Sequence, residues 1–329
     1  MKAFDLHCDT LSALRRAEGE GRPLSFVHND LHIDLEKLEA GGYMLQCFAA
    51  FVDLGGGEDP LAAALEQIEL FGRVMEACPD RIAPVYAAGD IARNAAAGRV
   101  SAMLTVEEGG CCKGSLGVLR LLYRLGVRMM TLTWNYDNCL AASNVKEEGP
   151  ALWPCPPDTE HGLTERGFAF LAEMERLHMI ADVSHLSDKG FWDVVGHSTR
   201  PFAASHSNCR ALAPHCRNLT DEMIRAMAER GCIAGLNYCP AFLDDQSDPA
   251  ACRSTAGLIA RHAAHFKQVG GAGMIALGSD FDGIGGQLEM ADCSKLPLLE
   301  RALGQEGFTD DEIEGIFWRN ARAFFEENL

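Results

Sequence analysis

Six side chains that could bind metal or move protons stand at or just after the ends of short apolar runs in this sequence. They are all histidines or acids: His7, Asp9, Glu107, His185, His206 and Asp280. Imidazole nitrogen and carboxylate oxygen are ligands that suit zinc without any sulfur. A carboxylate that lies between a His/Asp pair and a His/His pair can bridge two ions, so the set predicts a dinuclear zinc site.

The first pair lies in "FDLHCDT", where His7 and Asp9 are two residues apart. Alternation along a strand predicts that both point to one face while Leu6 and Cys8 point to the other. Two later His-x-Asp pairs do not follow apolar runs. Asp34, which ends one of them, precedes the amphipathic "LEKLEAGG" and is predicted to be a helix N-cap instead.

Two adjacent glutamates compete for the bridging position, because neighbours on a strand face opposite sides. If Glu107 is on the face of its strand that carries the other ligands, the residues on the opposite face, available to pack against helices, are Ala102, Leu104 and Val106. If Glu108 faces inward, polar residues would have to pack there instead. The pattern therefore favours Glu107.

The predicted charges at this site favour hydrolysis. Two divalent ions carry four positive charges, of which Asp9 and Glu107 cancel two, so the remaining field favours a bridging hydroxide at neutral pH. Asp280 is then placed to take a proton from the attacking water and pass it to the leaving amine. Asp282 is the competing candidate, and a turn before Gly283 is its alternative role.

The elements that must position these residues alternate along the chain. Eight short apolar runs, from "KAFDLHCD" to "MIALGSDFDG", are separated by amphipathic patterns such as "DPLAAALEQIELFGRVMEAC". Alternation of strand and helix predicts a parallel sheet, and eight units predict an α/β fold of the (β/α)₈ TIM-barrel type. We expect one metallo-dependent hydrolase domain over residues 1–329, with a further short strand near residue 85.

Two irregular features accompany the repeat. The proline-rich stretch at 147–162 follows the fourth candidate strand and is predicted to form a lid or wall on the catalytic face. Near the C-terminus, Thr309 and Glu312 form a predicted capping box ahead of the periodic "IEGIFWRNARAFF".

Composition limits the partners and the compartment. A formal charge of −18 and a pI near 5.0 argue against nucleic acid as a partner. The 13 cysteines have irregular spacing and are expected to be reduced and buried. The vicinal Cys111 and Cys112 could instead bind a soft metal or form a redox pair. With no signal peptide and no run of membrane-span length, we expect a cytoplasmic protein without a membrane partner.

Several ordered motifs closely resemble the membrane (renal) dipeptidase family of zinc peptidases over nearly the whole chain. They are "FDLHCDT", "MLTVEEGG", "SLGVLRLLYRLGVRMMTLTWN", "ADVSH", "ASHSN", "HCRNLTDE" and "LGSDFDG". The resemblance implies a (β/α)₈ barrel related to the amidohydrolases and two zinc ions. It implies that one zinc binds to His7, Asp9 and Glu107, and the other to Glu107, His185 and His206.

The resemblance also implies roles at the substrate. Arg217, in "HCRN", matches the arginine that binds the terminal carboxylate of the substrate, and a surface salt bridge is its alternative role. Asp280 matches the acid/base aspartate. Asn237 and Tyr238, which end the seventh strand, are candidates to line the pocket, and packing at the strand end accounts for them equally well.

The chain departs from the family at one contact. Mammalian members have a substrate-contacting histidine after "TLT", where this chain has Trp134. An indole N–H donates one hydrogen bond but cannot accept one or titrate, so stabilisation of the tetrahedral intermediate or the preferred substrate must differ. We also expect the signal and lipid-anchor sequences of those enzymes to be absent from this protein, so that their membrane location does not transfer.

The sequence therefore predicts a cytoplasmic zinc dipeptidase that acts on small free dipeptides, with a homodimer expected from base rates among enzymes. One alternative is a related amidohydrolase that acts on an N-acyl amino acid, a cyclic amide or a β-lactam. The other is a catalytically silent barrel that binds metal.

Overall fold

A computed structural model describes residues 2–146 and 155–329. Within them the predicted barrel is confirmed: eight parallel strands close into one sheet, and additional short strands lie beside it. The strands are β1 Ala3–Asp5, β2 Tyr43–Phe51, β3 Ile82–Pro84, β4 Val100–Glu107, β5 Met129–Thr131, β6 Ile180–Asp182, β7 Ala203–Ala204, β8 Ile233–Leu236, β9 Arg253–Ser254, β10 Ile275–Leu277 and β11 Gln287–Leu288.

The barrel closes in the order β1, β2, β4, β5, β6, β7, β8 and β10, and β10 pairs with β1 in parallel. The short strand expected near residue 85 is β3, which pairs with residues 100–102 of β4, whereas β5 pairs with residues 105–107. The two-residue strands β9 and β11 pair with each other outside the barrel. The carboxyl ends of the eight barrel strands therefore meet at one mouth.

Helices surround the sheet. They are α1 Thr10–Gly19, α2 Leu35–Ala40, α3 Pro60–Ala77, α4 Ala88–Ala96, α5 Leu116–Arg124, α6 Glu165–Leu177, α7 Asp188–His197, α8 Asp221–Glu229, α9 Pro240–Leu243, α10 Ala256–Gly270, α11 Leu296–Gln305, α12 Asp310–Glu314 and α13 Asn320–Asn328. The predicted N-cap of α2 is confirmed, because Asp34 accepts a hydrogen bond from the Lys37 backbone N at 2.8 Å. None of the described helices has the length and apolar character needed to cross a bilayer.

Two apolar layers hold the barrel together. Outward residues of β4, namely Ala102, Leu104 and Val106, pack against the helices as predicted, while Met103 lies in the inner cluster. The inner cluster also contains Phe324 and Phe325 of α13, which pack against the first residues of several strands. Apolar side chains thus fill the end of the barrel where the strands begin, and the predicted metal ligands lie at the other end, the mouth.

The C-terminal segment follows its predicted start but not a regular course. Thr309 and Glu312 form the capping box of α12. Between α12 and α13, residues Gly315–Arg319 form a π-helical turn. The Asn320 side chain next to this turn donates hydrogen bonds to the backbone oxygens of Ala272 and Ile275 at 2.9 and 2.8 Å. The irregular turn therefore docks the last helix on the end of the barrel.

The prediction that every cysteine is reduced is wrong for one pair. Cys155 and Cys216 form a disulfide, with their Cα atoms 5.4 Å apart. The two lie 61 residues apart, and only the fold brings them together. Cys111 and Cys112 are free and completely buried, which supports packing rather than metal or redox chemistry for that pair.

The proline-rich insertion can be described only at its end. Of the predicted lid or wall at 147–162, residues 147–154 lie outside the described residues. In the described part, the Asp158 backbone N donates to Asn144 at 2.9 Å, and Cys155 carries the disulfide to Cys216. This end of the insertion therefore lies against the loop that carries Arg217.

Candidate functional site

Five predicted metal ligands come together at the mouth of the barrel, with Glu107 at their centre. Glu107 Oε2 is 3.3 Å from His7 Nε2, which is 3.4 Å from Asp9 Oδ2. On its other side, Glu107 Oε1 is 3.0 Å from His185 Nε2 and 3.5 Å from His206 Nε2. One carboxylate thus faces a His/Asp pair and a His/His pair, which is the arrangement that the sequence predicted.

The geometry of His7 differs from simple strand alternation. Strand β1 ends at Asp5, whose Oδ1 accepts hydrogen bonds from the backbone N of His7 at 3.1 Å and of Ser279 at 3.0 Å. Leu6 packs in the inner cluster and Cys8 in the outer one, so they do not share a face. The predicted convergence of His7 with Asp9 holds, but a turn made by Asp5 produces it and not a continuous strand.

The ligand set fits cations. His7 Nε2 and Asp9 Oδ1 are buried and have no hydrogen-bond partner among the described residues. The Nε2 atoms of His185 and His206 face each other at 3.0 Å. Buried acceptors that face one another without donors are costly unless a positive ion neutralises them. The residues present therefore suit divalent metal ions bound by imidazole and carboxylate.

Neighbouring side chains contact the Nδ1 atoms of two histidines. His185 Nδ1 is 2.8 Å from Asn135 Oδ1, an acceptor, so Nδ1 carries the proton and Nε2 presents a lone pair. His206 Nδ1 is 2.6 Å from Ser205 Oγ. The ring of His206 stacks on that of His7 with centroids 3.9 Å apart. These contacts orient the imidazoles before any ion binds.

The charges at the site are unbalanced in the absence of cations. Burial opposes protonation of His7, but Glu107 and Asp9 outweigh it and raise its pKa well above the usual value. Burial likewise opposes ionisation of Glu107, but His7 and the other imidazoles outweigh it and lower its pKa well below the usual value. Burial, and then the neighbouring Glu107, raise the pKa of Asp9. The crowded carboxylates favour the entry of positive ions.

The other two imidazoles remain neutral. Burial, reinforced by the Arg217 charge, lowers the pKa of His185 to about 4. Burial, followed by the charge of His7, lowers the pKa of His206 well below its usual value. Neutral imidazoles are the form that binds metal.

Asp280 lies at the same mouth, with Oδ1 3.8 Å from His7 Nε2. Its Oδ2 accepts a hydrogen bond from Asn237 Nδ2 at 2.9 Å. Burial, and then the charges of Asp9 and Glu107, raise its pKa to about 8. A carboxyl at this position, beside the predicted ligands, can accept a proton and return it.

The competing Asp282 has a structural role. It accepts hydrogen bonds from Thr10 Oγ1 and from the His32 backbone N, each at 2.7 Å. Asp280 and Asp282 both adopt positive φ angles, 63° and 69°, in this tight turn. At Gly283 a Cβ atom would come within 2.1 Å of Asp9 Oδ2, so only glycine lets the loop approach the ligands. Asp282 thus holds the loop that presents Asp280.

Arg217 is buried beside the ligands, so its alternative role in a surface salt bridge is excluded. It is only 4% exposed and forms no ion pair with any of the described residues. Its NH2 donates to the His206 backbone O at 3.3 Å, its NH1 is 3.5 Å from Ser207 Oγ, and its Nε has no partner there. A guanidinium with such weakly used donors can still bind a carboxylate.

Trp134 borders the site with its ring. Its centroid is 4.9 Å from that of Phe51 and 6.3 Å from that of His185. Glu108, the glutamate that was not chosen as the bridging ligand, accepts a hydrogen bond from the Trp134 backbone N at 2.8 Å and so helps to position Trp134. Trp134 therefore gives the pocket an aromatic wall.

A cavity of about 500 Å³ opens at the metal ligands. It is lined by Asp9, Ser12, Arg16, Phe51, Asp53, Glu107, Trp134, Asn135, His185, Cys239, Phe242, Asp280, Asp282, Gly283 and Ile284. A second cavity of about 590 Å³ shares four of these residues, Ser12, Arg16, Phe51 and Asp53. The volume suits a small-molecule substrate.

The two candidates at the end of the seventh barrel strand separate. Asn237 is at the site, where it donates to Asp280. Tyr238 is 1% exposed in the outer apolar layer, with its ring 5.5 Å from Phe281 in an edge contact. Neighbouring strand residues face opposite sides, so only one could reach the mouth. Packing at the strand end is the correct account of Tyr238, and the expectation that it lines the pocket is wrong.

Three residues that contact or support the histidines were missed in the sequence analysis. Asn135 contacts His185, while Ser205 and Asp182 lie beneath His206. Asn135 follows directly after "TLTW", and the other two occupy inward positions one or more residues before a ligand. Inward polar residues in the strand just before a histidine ligand are the signal that could have identified them.

Comparison with known proteins places the chain in a family. The model of the membrane dipeptidases, peptidase family M19, matches residues 1–328. The dipeptidase tcpJ of Claviceps purpurea is 30% identical over 299 residues, which cover 88% of this chain and 67% of that protein.

Two solved metallopeptidase structures match this chain over its full length. The chain is similar to the metallopeptidase dipeptidase AC, with a TM-score of 0.90 and 28% identity, over 100% of this chain and 98% of that one. It is also similar to a metallopeptidase of Rhodobacter sphaeroides that was solved with a phosphinate mimic of the dipeptide L-Ala-D-Ala. There the TM-score is 0.89 and the identity 26%, over 100% and 99% of the two chains.

Proposed function

Since the chain belongs to the membrane dipeptidase family and is a metal-dependent hydrolase of peptide bonds, we propose that it hydrolyses free dipeptides with two zinc ions bound around Glu107. The observation that carries this proposal is the position of Glu107. Its two oxygens face His7 on one side and the pair His185 and His206 on the other.

The ligands divide into two groups that share one carboxylate. His7 and Asp9 with Glu107 would bind one ion, and His185 and His206 with Glu107 the other. Two divalent ions bound there would supply a hydroxide nucleophile at neutral pH and Lewis acidity for the scissile carbonyl. Imidazoles and carboxylates without sulfur favour zinc among the common metals, although similar ligands also bind other divalent ions.

The substrate lies across the mouth of the barrel in this proposal. Arg217, in the loop after β7, binds the terminal carboxylate with donors that the described residues leave weakly used or unused. Ser12 and Arg16 of α1, with Phe51 and Asp53 at the end of β2, border the opposite side. The N-terminal residue of the dipeptide therefore points toward α1, where the second cavity gives its side chain room.

Asp280 moves the proton. Its carboxylate lies beside His7 and is held by Asn237. It accepts a proton from the attacking water and delivers it to the nitrogen of the leaving amino acid. Cations held by the five ligands would favour its ionised form, in which the carboxyl can act as a base when the substrate binds.

Two further properties remain predictions from the sequence: a cytoplasmic location and assembly as a homodimer. Light scattering coupled to size-exclusion chromatography measures the mass in solution. A mass near 71 kDa, which is about twice the 35.7 kDa of one chain, supports the dimer.

The test of the function is hydrolysis of a panel of free dipeptides beside N-acetylated amino acids, cyclic amides and β-lactams. The purified protein should hydrolyse dipeptides far faster than the other amides. His185→Ala should lower turnover by orders of magnitude and reduce bound zinc, whereas His28→Ala, at a histidine whose side chain is 73% exposed, should change neither. Preference for another amide would favour the amidohydrolase alternative, and unchanged dipeptide hydrolysis in His185→Ala would refute the assignment.

A further inference from the structure

A buried hydrogen-bond chain lies beneath one metal ligand. Asp182, the last residue of β6, is completely buried. Its Oδ2 is 2.5 Å from Ser205 Oγ, and Ser205 Oγ is in turn 2.6 Å from His206 Nδ1. We infer that Asp182 is a positioning residue that acts through Ser205 to hold His206 in the tautomer able to bind a metal ion. This inference rests on the proposed metal site.

The orientation of the chain follows from the other contacts of Asp182. Its Oδ1 accepts hydrogen bonds from the backbone N of Ser184 at 3.0 Å and of Ser205 at 2.9 Å. Its Oδ2 accepts from Thr131 Oγ1 at 2.7 Å. The carboxylate is thus surrounded by donors, and the Ser205 hydroxyl has to donate its single proton to it.

The direction of this proton determines the state of His206. Because the Ser205 hydroxyl has given its proton to Asp182, its oxygen can only accept from His206 Nδ1. Nδ1 therefore carries the imidazole proton, and Nε2 presents its lone pair toward Glu107 and His185. The opposite tautomer would place a proton on Nε2 and prevent it from acting as a ligand.

The close packing around Ser205 indicates that its position is fixed. A Cβ atom added to Gly235 or to Gly278 would lie 2.0 Å from the Ser205 backbone O. The backbone N of His206 also donates to Ser184 Oγ at 3.2 Å. The Ser205 backbone O is therefore enclosed by the backbone of Gly235 and Gly278, so the serine cannot shift without disturbing β7. Its hydroxyl has one other neighbour, Ser184 Oγ, at the much longer distance of 3.4 Å.

The isosteric change Asp182→Asn gives a distinctive prediction. The two backbone N–H groups at Oδ1 require the amide oxygen there, so the NH2 group must take the place of Oδ2. It then donates to Ser205, whose hydroxyl turns its proton toward His206 Nδ1 and so forces the proton of His206 onto Nε2. A change of one atom in the buried chain would therefore convert the ligand into the non-binding tautomer, as happens with other buried Asp–His pairs.

The experiment measures zinc affinity by competition with a chromophoric chelator in the full-length protein. Ser205→Ala should weaken the binding of one of the two zinc ions, the one that His206 would hold, by about 10- to 100-fold, the usual effect of losing an outer partner of a histidine ligand. Asp182→Asn should weaken it at least as much. The double variant should lose no more than Ser205→Ala alone, because without the hydroxyl nothing enforces the wrong tautomer. The matched control is Thr131→Val, which removes another hydroxyl from Asp182 without touching His206, and should retain wild-type zinc affinity.

Nitrogen-15 NMR of the metal-free protein gives a second readout. The wild type should show His206 protonated on Nδ1, and Asp182→Asn should show it protonated on Nε2. The inference would be overturned if Ser205→Ala and Thr131→Val lowered zinc affinity by the same factor. It would also be overturned if the double variant Asp182→Asn/Ser205→Ala lowered zinc affinity by the product of the factors found for the two single variants. If Asp182→Asn fails to fold, the comparison of Ser205→Ala with Thr131→Val still decides it. A wild type that binds zinc but hydrolyses no dipeptide would refute the proposed function and leave this pattern of affinities intact.

Discussion

Removing the Arg217 guanidinium should abolish recognition of the C-terminal carboxylate of the substrate. The side chain is buried and makes only long contacts, to Ser207 Oγ and to the His206 backbone O. A fork that forms two charge-assisted hydrogen bonds to the carboxylate gains about 1.5–3 kcal/mol from each. The sum of about 3–6 kcal/mol corresponds to a loss of roughly 10²- to 10⁴-fold in kcat/KM for Arg217→Ala.

The assay compares each dipeptide with its C-terminal amide. The wild type should strongly prefer the free carboxylate, and Arg217→Ala should hydrolyse the two at similar rates. General damage to the site affects both substrates equally, so the ratio isolates the contact with the carboxylate.

A neighbouring arginine provides the control. Arg210 donates two hydrogen bonds of 2.7 Å to Asp188, so its guanidinium donors are already used. Arg210→Ala should lower the free energy of unfolding yet keep the wild-type preference for the carboxylate. The reasoning is refuted if Arg217→Ala discriminates between acid and amide as well as the wild type does.

Three further changes test other parts of the account. Asn237→Ala should lower kcat by about 10- to 100-fold with little change in KM, because it removes the 2.9 Å hydrogen bond to Asp280; steady-state kinetics on a dipeptide would contradict this if KM alone changed. Burial lowers the pKa of His262 to about 4, so between pH 6.5 and 4 only the unfolded chain takes up its proton. The contribution of His262 to the free energy of unfolding should then fall by up to roughly 3 kcal/mol over that pH range. Urea titrations at several pH values should show a weaker pH dependence of the free energy of unfolding in His262→Gln than in the wild type. The same pH dependence in both proteins would be contrary evidence. Thiol titration of the unreduced, denatured protein should find 11 free cysteines, and 13 after reduction; 13 without reduction would exclude the Cys155–Cys216 disulfide.

The barrel and the inward direction of Glu107 could be predicted because their signals are local. Each barrel strand is a short apolar run, and Glu107 was distinguished from Glu108 by the outward pattern of Ala102, Leu104 and Val106, which do pack in the outer layer. The N-cap at Asp34 was equally local. Periodicity and capping depend on residues within one turn or strand, so sequence alone could reveal them.

Features that depend on distant partners could not be predicted in the same way. The turn that redirects His7 depends on Asp5 contacting Ser279, at the opposite end of the chain. The disulfide joins Cys155 to Cys216 across 61 residues, and spacing alone does not select a pair among 13 cysteines. Contacts of this kind become visible only when the barrel closes.

The supporting residues show a second reason. Asp182 ends β6 and Ser205 directly follows β7, and a polar residue at such a place can be recognised as a support only once the histidine beside it has been assigned a role. Their importance comes from a chain of hydrogen bonds that ends on His206. The opposite error was made for Tyr238. Its place at a strand end led to the prediction that it lines the pocket, but its side chain packs in the outer apolar layer.

The most direct test of the metal site is a zinc titration of the metal-stripped protein, with dipeptide hydrolysis measured at each addition. Activity should rise from near zero and reach its plateau at two zinc ions per chain, whereas Glu107→Gln should gain almost none. Full activity in the stripped protein, or a plateau at one ion per chain, would contradict a mechanism built on two ions that share Glu107.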